Sequence, residues 1–458
     1  MTDKILKMLD PEILSLDKCQ NEAYAKDWSE APAMTPDVVL RPRNAQDISA
    51  ILELCQNHNQ ALVVQGGRTG LSGGATPQKK EWVLSLDRLD KILEINPDTL
   101  TITVQSGVVL ERIQDAVKAH SLVFPVDIGA RGSCMAGGIA ATNAGGNQVI
   151  KYGTARDNIL GLEAVLPDGT ILSARNELIK NNAGFDLKQL LIGSEGVLGV
   201  ITELTFRLYP ERPVKQTALC GFSDFEAVTS FLAFAQRNIL AVSAFELMWQ
   251  NYFEAGVKIA GLCRPFDEDY PFLVLLEAEF PSPTDSLNDT LGSAIEKRIL
   301  QNCIISQSIS DSQNLWAIRE AISELVTQLS PVVNFDIGIP IAEIDGFTQS
   351  VQTALSARFK NPTCLFFGHL GDSNLHIIVP IDDPEDQHEI ESIVFALTRE
   401  TSGTITAEHG IGRLKLEWLS YSRSPEEIEL MRKLKRMLDP ANILNPDRVI
   451  SIESKLFP

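Results

Sequence analysis

Apolar and polar residues alternate along the chain in two periods, one typical of helices and one typical of strands. Ile48, Ile51 and Leu52 recur at helical spacing, which places them on one face of a helix. Asn44 precedes this run, and Asp47 follows at a position where an acid supports the first turn. The pattern therefore predicts a helix that begins after Asn44.

Short apolar runs rich in β-branched residues predict strands in the first half of the chain. These strands are predicted at 61–65, 81–86, 101–105, 162–166 and 170–173. A helix with Leu110, Ile113 and Val117 on one face lies among them. Residues 167–169, Pro-Asp-Gly, separate the last two strands and are a strong hairpin signal. Because helices and strands alternate without an internal repeat, we predict an α+β fold.

The sequence changes in character after residue 212. Glycines become less frequent, and the predicted elements form a second α+β layer with an antiparallel sheet. Its strands are predicted at 217–220, 242–248 and 272–280, and its helices at 225–236 and 286–300. A last helix is predicted at 425–438, beyond this layer. We therefore predict a first domain at 1–212, a second at 213–416 and a C-terminal segment at 417–458.

Composition limits the class of protein and its partners. The chain has 458 residues, 44% of them hydrophobic, which suits two or three domains with separate cores. The formal net charge of −20 opposes binding to nucleic acid and anionic membranes. The N-terminus lacks the pattern of a signal peptide, and no run approaches the ~18 apolar residues of a membrane helix. We expect a cytoplasmic protein, with peripheral attachment to a membrane as the alternative. The seven cysteines include no C-x-x-C pair, so neither a disulfide framework nor a zinc ribbon is indicated.

Glycines are concentrated in a first segment, residues 66–74, that follows the predicted strand at 61–65. Five of its nine residues are glycine. Glycine lets backbone approach a ligand and lets successive N–H groups point at one anion, so the segment predicts a phosphate-binding loop. Its spacing matches neither the G-x-G-x-x-G dinucleotide motif nor a loop that ends in Gly-Lys-Ser/Thr. A flexible surface loop is the alternative.

Two further glycine-rich segments follow. The second runs from 124 to 146, and its small residues recur too densely for one amphipathic helix. This density indicates that its backbone lies close to something flat or bulky. The third, residues 193–202, is a glycine-rich turn that enters a strand. The second segment makes a flexible loop a less favoured interpretation of the first.

Three of the six histidines fall in two short motifs. A Gly-Asp-Ser-Asn turn lies between His369 and His376, so the chain can fold back and bring both imidazoles to one point. Glu408 supplies a carboxylate, and two histidines with one carboxylate leave open positions on a Zn²⁺-type ion. His409 beside it would be free to act as a base. The alternative is that these histidines are core or turn residues with satisfied hydrogen bonds.

The three glycine-rich segments resemble the FAD-binding domain of the vanillyl-alcohol oxidase type flavoproteins. Within these the chain resembles, from about 41 to 445, the branch of D-2-hydroxyacid dehydrogenases that includes D-lactate, glycolate and D-2-hydroxyglutarate enzymes. The resemblance implies that the first segment wraps the pyrophosphate, the second lines flavin and ribityl chain, and the third meets the adenine side. It also implies that the C-terminal segment returns to the FAD domain. The residues expected to bind FAD are Gly66, Gly67, Arg68, Thr69, Gly70, Ser72, Gly73, Pro125, Asp127, Gly132, Ser133, Gly137, Gly138, Ala141, Thr142, Asn143, Gly145, Glu195, Gly196, Gly199, Ile201 and Asn445.

Some flavoproteins of this type tether the flavin through a histidine in the first segment. Here that segment contains no histidine, and Cys134 alone is weak evidence for a covalent bond. We therefore expect FAD to be bound without covalent attachment.

The resemblance also implies roles for residues outside the glycine segments. His369, His376 and Glu408 match the ligands of a divalent metal, expected to be Zn²⁺, and His409 matches the base. In such an enzyme the metal lowers the pKa of the substrate hydroxyl, a base accepts the proton, and the flavin takes the electrons. Arg319 matches an arginine that grips a substrate carboxylate, which a guanidinium can do in bidentate fashion.

Arg319 and Ser323 belong to a predicted helix at 315–323. Their i, i+4 spacing would place both on one face, beside the substrate. For an isolated helical arginine, a surface salt bridge is the alternative.

The sequence departs from the D-2-hydroxyglutarate enzymes at two positions. Asn334 stands where those enzymes have lysine, and Ile378 stands where they have asparagine. Loss of a cation and an amide makes a second substrate carboxylate harder to hold, so D-lactate or a similar monocarboxylic acid is favoured. Ile378 would meet an apolar tail. Arg413 is a further cation that could supply the missing charge.

Two other functions remain open at this point. One, within the family, is a glycolate-oxidase-like subunit of a complex. The other is a flavin-binding subunit that passes electrons without turning over substrate, which the intact histidine motifs disfavour. The expected electron acceptor is an electron-transfer flavoprotein, a quinone or a cytochrome, and a homodimer is one assembly to be tested.

Overall fold

A computed structural model describes residues 5–212, 214–282, 286–360 and 362–452. The chain divides into two compact units. The first comprises Met1–Gly146, Tyr152–Glu211 and Glu408–Pro458, and the second comprises Asn147–Lys151 and Arg212–Ala407. Residues 408–416, which the sequence analysis placed in the second domain, thus belong to the first unit.

The described strands are two to nine residues long. They are β1 Leu14–Ser15, β2 Val39–Leu40, β3 Leu62–Gln65, β4 Trp82–Ser85, β5 Ile92–Asn96, β6 Thr101–Gln105, β7 Leu122–Val123, β8 Ile159–Val165, β9 Ile171–Ala174, β10 Val200–Arg207, β11 Tyr209–Pro210, β12 Val214–Phe222, β13 Val242–Trp249, β14 Phe272–Phe280, β15 Asn302–Ile305, β16 Val332–Gly338, β17 Leu365–His369 and β18 Asn374–Pro380.

The α-helices alternate with these strands. They are α1 Lys18–Asn21, α2 Ala45–His58, α3 Leu110–Lys118, α4 Ala136–Thr142, α5 Val149–Tyr152, α6 Ala155–Asn158, α7 Lys188–Leu191, α8 Phe225–Asn238, α9 Gln250–Ala260, α10 Leu287–Glu296, α11 Ile309–Arg319, α12 Ile322–Leu329, α13 Ile344–Arg358, α14 Gln387–Glu400 and α15 Pro425–Leu438. None of the described helices is long and apolar enough to cross a membrane.

The first unit contains a four-stranded sheet, β1-β2-β4-β3, and a five-stranded sheet, β5-β6-β10-β8-β9. The predicted helix after Asn44 is confirmed as α2, because the Asn44 side chain accepts a hydrogen bond from the backbone N–H of Asp47. The predicted hairpin is also confirmed, with β8 antiparallel to β9. Gly169 lies between them at φ +87°, a conformation that glycine adopts without the strain a side chain would bring.

The C-terminal segment is anchored inside the first unit. The ammonium group of Lys435, on α15, is buried and donates to Asp439 Oδ2 at 2.6 Å and to the carbonyl oxygens of Val197 and Leu444. Leu444 then forms a parallel bridge with Leu62 of β3. These bonds satisfy a buried charge, which would otherwise be costly, and they hold the segment beside the first glycine-rich segment.

The second unit is built on a seven-stranded sheet of order β15-β12-β14-β13-β17-β18-β16. All its pairings are antiparallel, as the sequence predicted. Its hydrophobic cluster includes Tyr252 and Phe253 from α9, Ile318 from α11, and Phe367 from β17. One face of the central strands is thus covered by α9, α11 and α12.

The predicted helix at 315–323 is wrong. The structure ends α11 at Arg319 and begins α12 at Ile322. The hydroxyl of Tyr252 donates to the carbonyl oxygen of Arg319 at 2.7 Å, which in a continuous helix would accept from the N–H of Ser323. The two residues therefore do not share a helix face. Arg319 is 6% exposed, whereas Ser323 is exposed.

Candidate functional site

The first glycine-rich segment leaves β3 and runs against the second one. A Cβ on Gly67 would lie 2.0 Å from the carbonyl oxygen of Ser133, closer than any real contact allows. Arg68 adopts φ +58° and Gly73 adopts φ +71°. Gly67 therefore has no room for a side chain, and Arg68 and Gly73 adopt a left-handed backbone conformation that L-residues rarely adopt.

The second segment contains a short helix, α4, where the sequence analysis expected no amphipathic helix. Gly137 on this helix lies so close to Ser106 that a Cβ would be 2.7 Å from the Ser106 Cβ. Farther along, Gly146 at φ +96° bridges Asp127, whose carbonyl oxygen would be 1.9 Å from an added Cβ. Small residues therefore serve close backbone packing at these points, and a ligand is not needed to explain them.

Other glycines of the second segment face open space. A Cβ on Gly138 or Gly129 would meet no atom within 4 Å. Ser106 Oγ and Gln65 Oε1 are among the buried polar atoms of the first unit that have no hydrogen-bond partner among the described residues. Because buried polar atoms are rarely left unpaired, these open glycines and orphaned oxygens are the features that a bound ligand with polar groups would explain.

The third segment is tied to the C-terminal segment. Glu195 adopts φ +50°, and its carbonyl oxygen accepts a hydrogen bond from the side-chain amide of Asn445 at 2.8 Å. The amide oxygen of Asn445 in turn accepts from the N–H of Val64 at 2.8 Å. Asn445 therefore bridges β3 and the third segment, so its amide is used within the protein.

The loop that carries His409 is held by two residues expected to bind FAD. The Ser72 hydroxyl lies 3.0 Å from the carbonyl oxygens of His409 and Gly410. The Glu195 carboxylate accepts from the N–H groups of Ile411 and Gly412 at 2.8 and 2.9 Å. Burial raises the pKa of Glu195, and these two N–H donors partly offset that effect. Both side chains thus fix the loop beside His409.

The remaining residues of the FAD prediction have varied surroundings. Thr142 Oγ1 donates to the carbonyl oxygen of Gly138 at 3.0 Å. Asn143 adopts φ +53°, and its side-chain oxygen accepts from the N–H of Arg156 at 2.9 Å. The Asp127 carboxylate accepts from the amide of Gln114 at 3.0 Å. Four of the others are buried (Pro125, Gly145, Gly199, Ile201), three are intermediate (Thr69, Ala141, Gly196), and three are exposed (Gly70, Gly132, Ser133).

In the second unit, the strand register brings the two predicted histidines together. His369 ends β17, and Phe367 of the same strand lies opposite His376 of β18. Ser373 in the connecting turn adopts φ +69°. The two imidazole rings are edge to face, with centroids 5.3 Å apart. The chain therefore folds back in the way that the Gly-Asp-Ser-Asn turn indicated.

A buried acid that the sequence analysis missed holds His369. Glu246 of β13 lies opposite His369 of β17, and its Oε1 is 2.7 Å from Nδ1 of His369. Its Oε2 accepts from Nε of Arg319 at 2.8 Å. Burial opposes ionisation of Glu246, but His369 and Arg319 together lower its pKa below the ordinary value. Nothing in the local sequence of β13 signals this role, because both partners are far along the chain.

Arg319 is held from three directions. Besides the bond to Glu246, its guanidinium carbon lies 4.6 Å from the centroid of the Phe367 ring, and Tyr252 bonds its carbonyl oxygen. The surface salt bridge that was the alternative for Arg319 is therefore replaced by a buried ion pair. The ring of Phe367 also lies 4.9 Å from the ring of His376.

The two positions that depart from the D-2-hydroxyglutarate enzymes face each other. Asn334 of β16 is paired with Ile378 of β18, two positions along the ladder from the pair of Asp336 and His376. Residues two apart on a strand lie on one face of a sheet, so Asn334 and His376 share a face. Asn334 is exposed, but Ile378 is 1% exposed within the hydrophobic cluster. The packing of Ile378 does not support a contact with a substrate tail.

Glu408 is the first residue after the second unit. The preceding residue, Ala407, donates its N–H to the carbonyl oxygen of Asp336 at 3.2 Å, and Asp336 is the register partner of His376. Within the first unit, Oε1 of Glu408 accepts from the N–H of Gly146 at 3.4 Å. Glu408 thus follows a strand contact beside His376 and begins the loop that carries His409.

Arg413 lies among charges of the first unit. Burial lowers its pKa, as does Arg448, while Glu81 and Asp27 act in the opposite direction. Arg448 is itself fully buried and forms two bonds of 2.8 Å with the carboxylate of Glu81. This surrounding does not support a role for Arg413 in holding a second substrate carboxylate.

Comparison with known proteins agrees with this arrangement. Residues 36–175 match a family model described as an FAD binding domain, and residues 211–449 match the C-terminal domain of FAD linked oxidases. The chain is 34% identical to a D-2-hydroxyglutarate dehydrogenase from Stutzerimonas stutzeri, with 98% of this chain and 99% of the relative covered. It is 35% identical to a putative mitochondrial D-lactate dehydrogenase from Schizosaccharomyces pombe, over 95% and 86%. The fold resembles p-cresol methylhydroxylase, with a TM-score of 0.78 at 15% identity over 98% and 96% of the two chains, so the predicted vanillyl-alcohol oxidase type fold is confirmed.

Proposed function

Because the chain belongs to the FAD-linked oxidase family, among the relatives of D-2-hydroxyacid dehydrogenases, we propose that it oxidises a D-2-hydroxy acid to the 2-oxo acid. The observation that carries the proposal is the pair of imidazoles on β17 and β18. His369 is held through Nδ1 and lies edge to face with His376. A histidine fixed through one ring nitrogen can present the other to a metal.

The first unit suits FAD. The open backbone at Gly138 and Gly129 leaves room against the second segment, and Ser106 Oγ and Gln65 Oε1 are polar atoms that a bound group could satisfy. The first glycine-rich segment would hold the pyrophosphate. When bound, FAD supplies the acceptor for the hydride from C2 of the substrate.

We propose that His369, His376 and Glu408 hold a divalent metal, with Zn²⁺ the first candidate. Each of these residues offers one ligand atom, and two imidazoles with a carboxylate leave positions open for substrate. Asn374, the first residue of β18, is buried. Its side-chain oxygen Oδ1 has no hydrogen-bond partner among the described residues, which fits a polar site. When bound, such a metal lowers the pKa of the substrate hydroxyl.

The chain's own residues then bind the acid and move the proton. Arg319, fixed by Glu246 and Phe367, can grip the C1 carboxylate with its terminal nitrogens. His409 accepts the hydroxyl proton, because a neutral imidazole can act as a general base. Ser72 and Glu195 hold the loop that presents it.

We propose a monocarboxylate such as D-lactate as the preferred substrate, because Asn334 is neutral. D-2-Hydroxyglutarate is the second candidate, favoured by the relatives that carry that name. A glycolate-oxidase-like subunit is a further form of the same activity. The electron acceptor would be an electron-transfer flavoprotein, a quinone or a cytochrome. The protein would act in the cytoplasm, free or peripheral to a membrane. A homodimer is the assembly to test first.

Anaerobic mixing with a panel of D- and L-2-hydroxy acids tests the activity. We expect D-enantiomers to bleach the flavin absorbance and the matched L-enantiomers to leave it unchanged. If no member of the panel reduces the flavin of the metal-loaded protein, the chain is a flavin-binding subunit without turnover and the proposal fails.

A further inference from the structure

One buried acid at the site is neither a proposed metal ligand nor a proposed contact of the substrate. Glu246, in the middle of β13, has no exposed surface, and both of its oxygens are used. Oε1 is 2.7 Å from Nδ1 of His369, and Oε2 accepts from Nε of Arg319 at 2.8 Å. A single carboxylate therefore contacts one proposed metal ligand and the proposed substrate clamp.

We propose that Glu246 is a positioning residue that sets the tautomer of His369 and the orientation of Arg319 together. This inference rests on the proposed function. An ionised carboxylate can only accept hydrogen bonds, so Nδ1 of His369 carries the hydrogen and Nε2 keeps the lone pair that a metal needs. Arg319 is gripped through Nε, the nitrogen that an end-on bidentate contact with a substrate carboxylate does not use.

The aromatic residues around this carboxylate make the arrangement stiff. Tyr252 stacks on Phe367 with centroids 4.1 Å apart, and its hydroxyl bonds the carbonyl oxygen of Arg319. Phe367 lies under the guanidinium at 4.6 Å. Arg319 is thus packed against Phe367 and bonded at both its backbone carbonyl oxygen and its Nε. Because Glu246 bonds this Nε through one oxygen and contacts His369 through the other, it holds the two side chains in a fixed relative position.

Glu246→Gln is the diagnostic change. The amide offers one oxygen to two donors, so its NH₂ group must face either His369 or Arg319. We expect Zn²⁺ to bind ~10- to 100-fold more weakly, measured by competition with a chromogenic chelator on the FAD-loaded protein, and KM for the hydroxy acid to rise.

Glu277→Gln is the matched control. Glu277 lies in the same sheet, is 7% exposed, and accepts from Ser243 Oγ and Trp316 Nε1 at 3.0 Å each. It should lose stability comparably and keep the Zn²⁺ affinity. Wild-type Zn²⁺ affinity in Glu246→Gln, or equal losses in both variants, would overturn the positioning role.

Two further measurements separate this inference from the proposed function. If His376→Ala binds Zn²⁺ as tightly as the wild type, the metal proposal fails, whatever Glu246→Gln does. Nitrogen NMR of the zinc-free wild-type protein, with the His369 signals assigned from His369→Ala, needs no Glu246 variant to fold. Hydrogen on Nδ1 supports the inference, and hydrogen on Nε2 alone contradicts it.

Discussion

Ser72 and His409 are joined by a hydrogen bond of 3.0 Å from the serine hydroxyl to the backbone carbonyl of the histidine. The carbonyl oxygen of Ser72 also accepts from the N–H groups of Arg413 and Leu414 at 2.9 and 3.1 Å. A residue of the first glycine-rich segment thus holds the loop that carries the proposed base. Position 412 in this loop requires glycine, since a Cβ on Gly412 would lie 2.1 Å from the carbonyl oxygen of Ser72.

Ser72→Ala should lower kcat about 3- to 10-fold. The change removes one or two hydrogen bonds to the His409 loop, and a loss of roughly 0.5–1.5 kcal/mol of stabilisation corresponds to that change in rate. FAD content should stay close to that of the wild type, because the hydroxyl is engaged by the His409 loop. Ser49→Ala is the control, since Ser49 also donates to a carbonyl oxygen, that of Gly169, away from the site. An unchanged kcat in Ser72→Ala would show that the bond does not position His409.

Gly138→Ala should have opposite effects on stability and on FAD affinity. A Cβ there meets no protein atom within 4 Å, and alanine in a helix is roughly 0.5–1 kcal/mol more favourable than glycine, so the apoprotein should melt at a higher temperature. The methyl group would occupy space assigned to the flavin, so FAD should bind at least ~10-fold more weakly, a loss of about 1.4 kcal/mol.

Thermal unfolding of the apoprotein and fluorescence titration with FAD check both effects. Gly292→Ala, in α10 and equally open, should raise stability and leave FAD affinity unchanged. Wild-type FAD affinity in Gly138→Ala would mean that the flavin does not lie against this glycine.

Acid or heat should release all FAD into solution. The first glycine-rich segment has no histidine, and Cys134 is buried, with its thiol pKa raised by burial to about 12. A thiol in that state provides little thiolate to attack a flavin. Absorbance of the supernatant after precipitation measures the release, and yellow colour retained in the washed pellet would show a covalent bond.

Local signals in the sequence were sufficient for elements whose determinants lie close together. The cap at Asn44 and the hairpin at Gly169 are examples, and α15 begins and ends where it was predicted. A cap bonds a backbone group a few residues away, so the pattern contains the answer. The two histidines were also found, because the turn between them is short.

Contacts between distant strands were not predictable from one sequence. Glu246 lies 123 residues from His369, and only the pairing of β13 with β17 brings them together. The break after Arg319 depends on the hydroxyl of Tyr252, which lies 67 residues away. Hydrophobic periodicity predicts which face of a helix or strand is apolar. It does not predict which other helix or strand packs against that face.

His376→Ala and His409→Ala should separate metal binding from proton transfer. The first should lose the metal and turnover while FAD stays bound, because the flavin segments lie in the first unit. The second should keep the metal and slow flavin reduction by about two to four orders of magnitude. Metal analysis and anaerobic stopped-flow absorbance check these outcomes. Full activity of a metal-free preparation would exclude the metal from the reaction.

The proposed substrate preference rests on Asn334, which shares a sheet face with His376. A monocarboxylate needs one cation, and Arg319 is the residue proposed to supply it. A second carboxylate near Asn334 would meet a side chain that donates hydrogen bonds but brings no charge, which should cost on the order of 1 to 3 kcal/mol, or about 5- to 150-fold in affinity. We therefore expect a higher kcat/KM for D-lactate or a longer aliphatic D-2-hydroxy acid than for D-2-hydroxyglutarate.

Asn334→Lys should raise kcat/KM for D-2-hydroxyglutarate alone and so reduce the difference in kcat/KM between the two acids. The position on β16 is exposed and can accept the longer side chain. Arg413→Ala is the companion variant. Arg413 lies among Arg448, Glu81 and Asp27, so its loss should leave the ratio of kcat/KM values for the two acids unchanged. If D-2-hydroxyglutarate is the better substrate of the wild type and Arg413→Ala abolishes that preference, the second carboxylate is held by Arg413 and the argument from Asn334 is wrong.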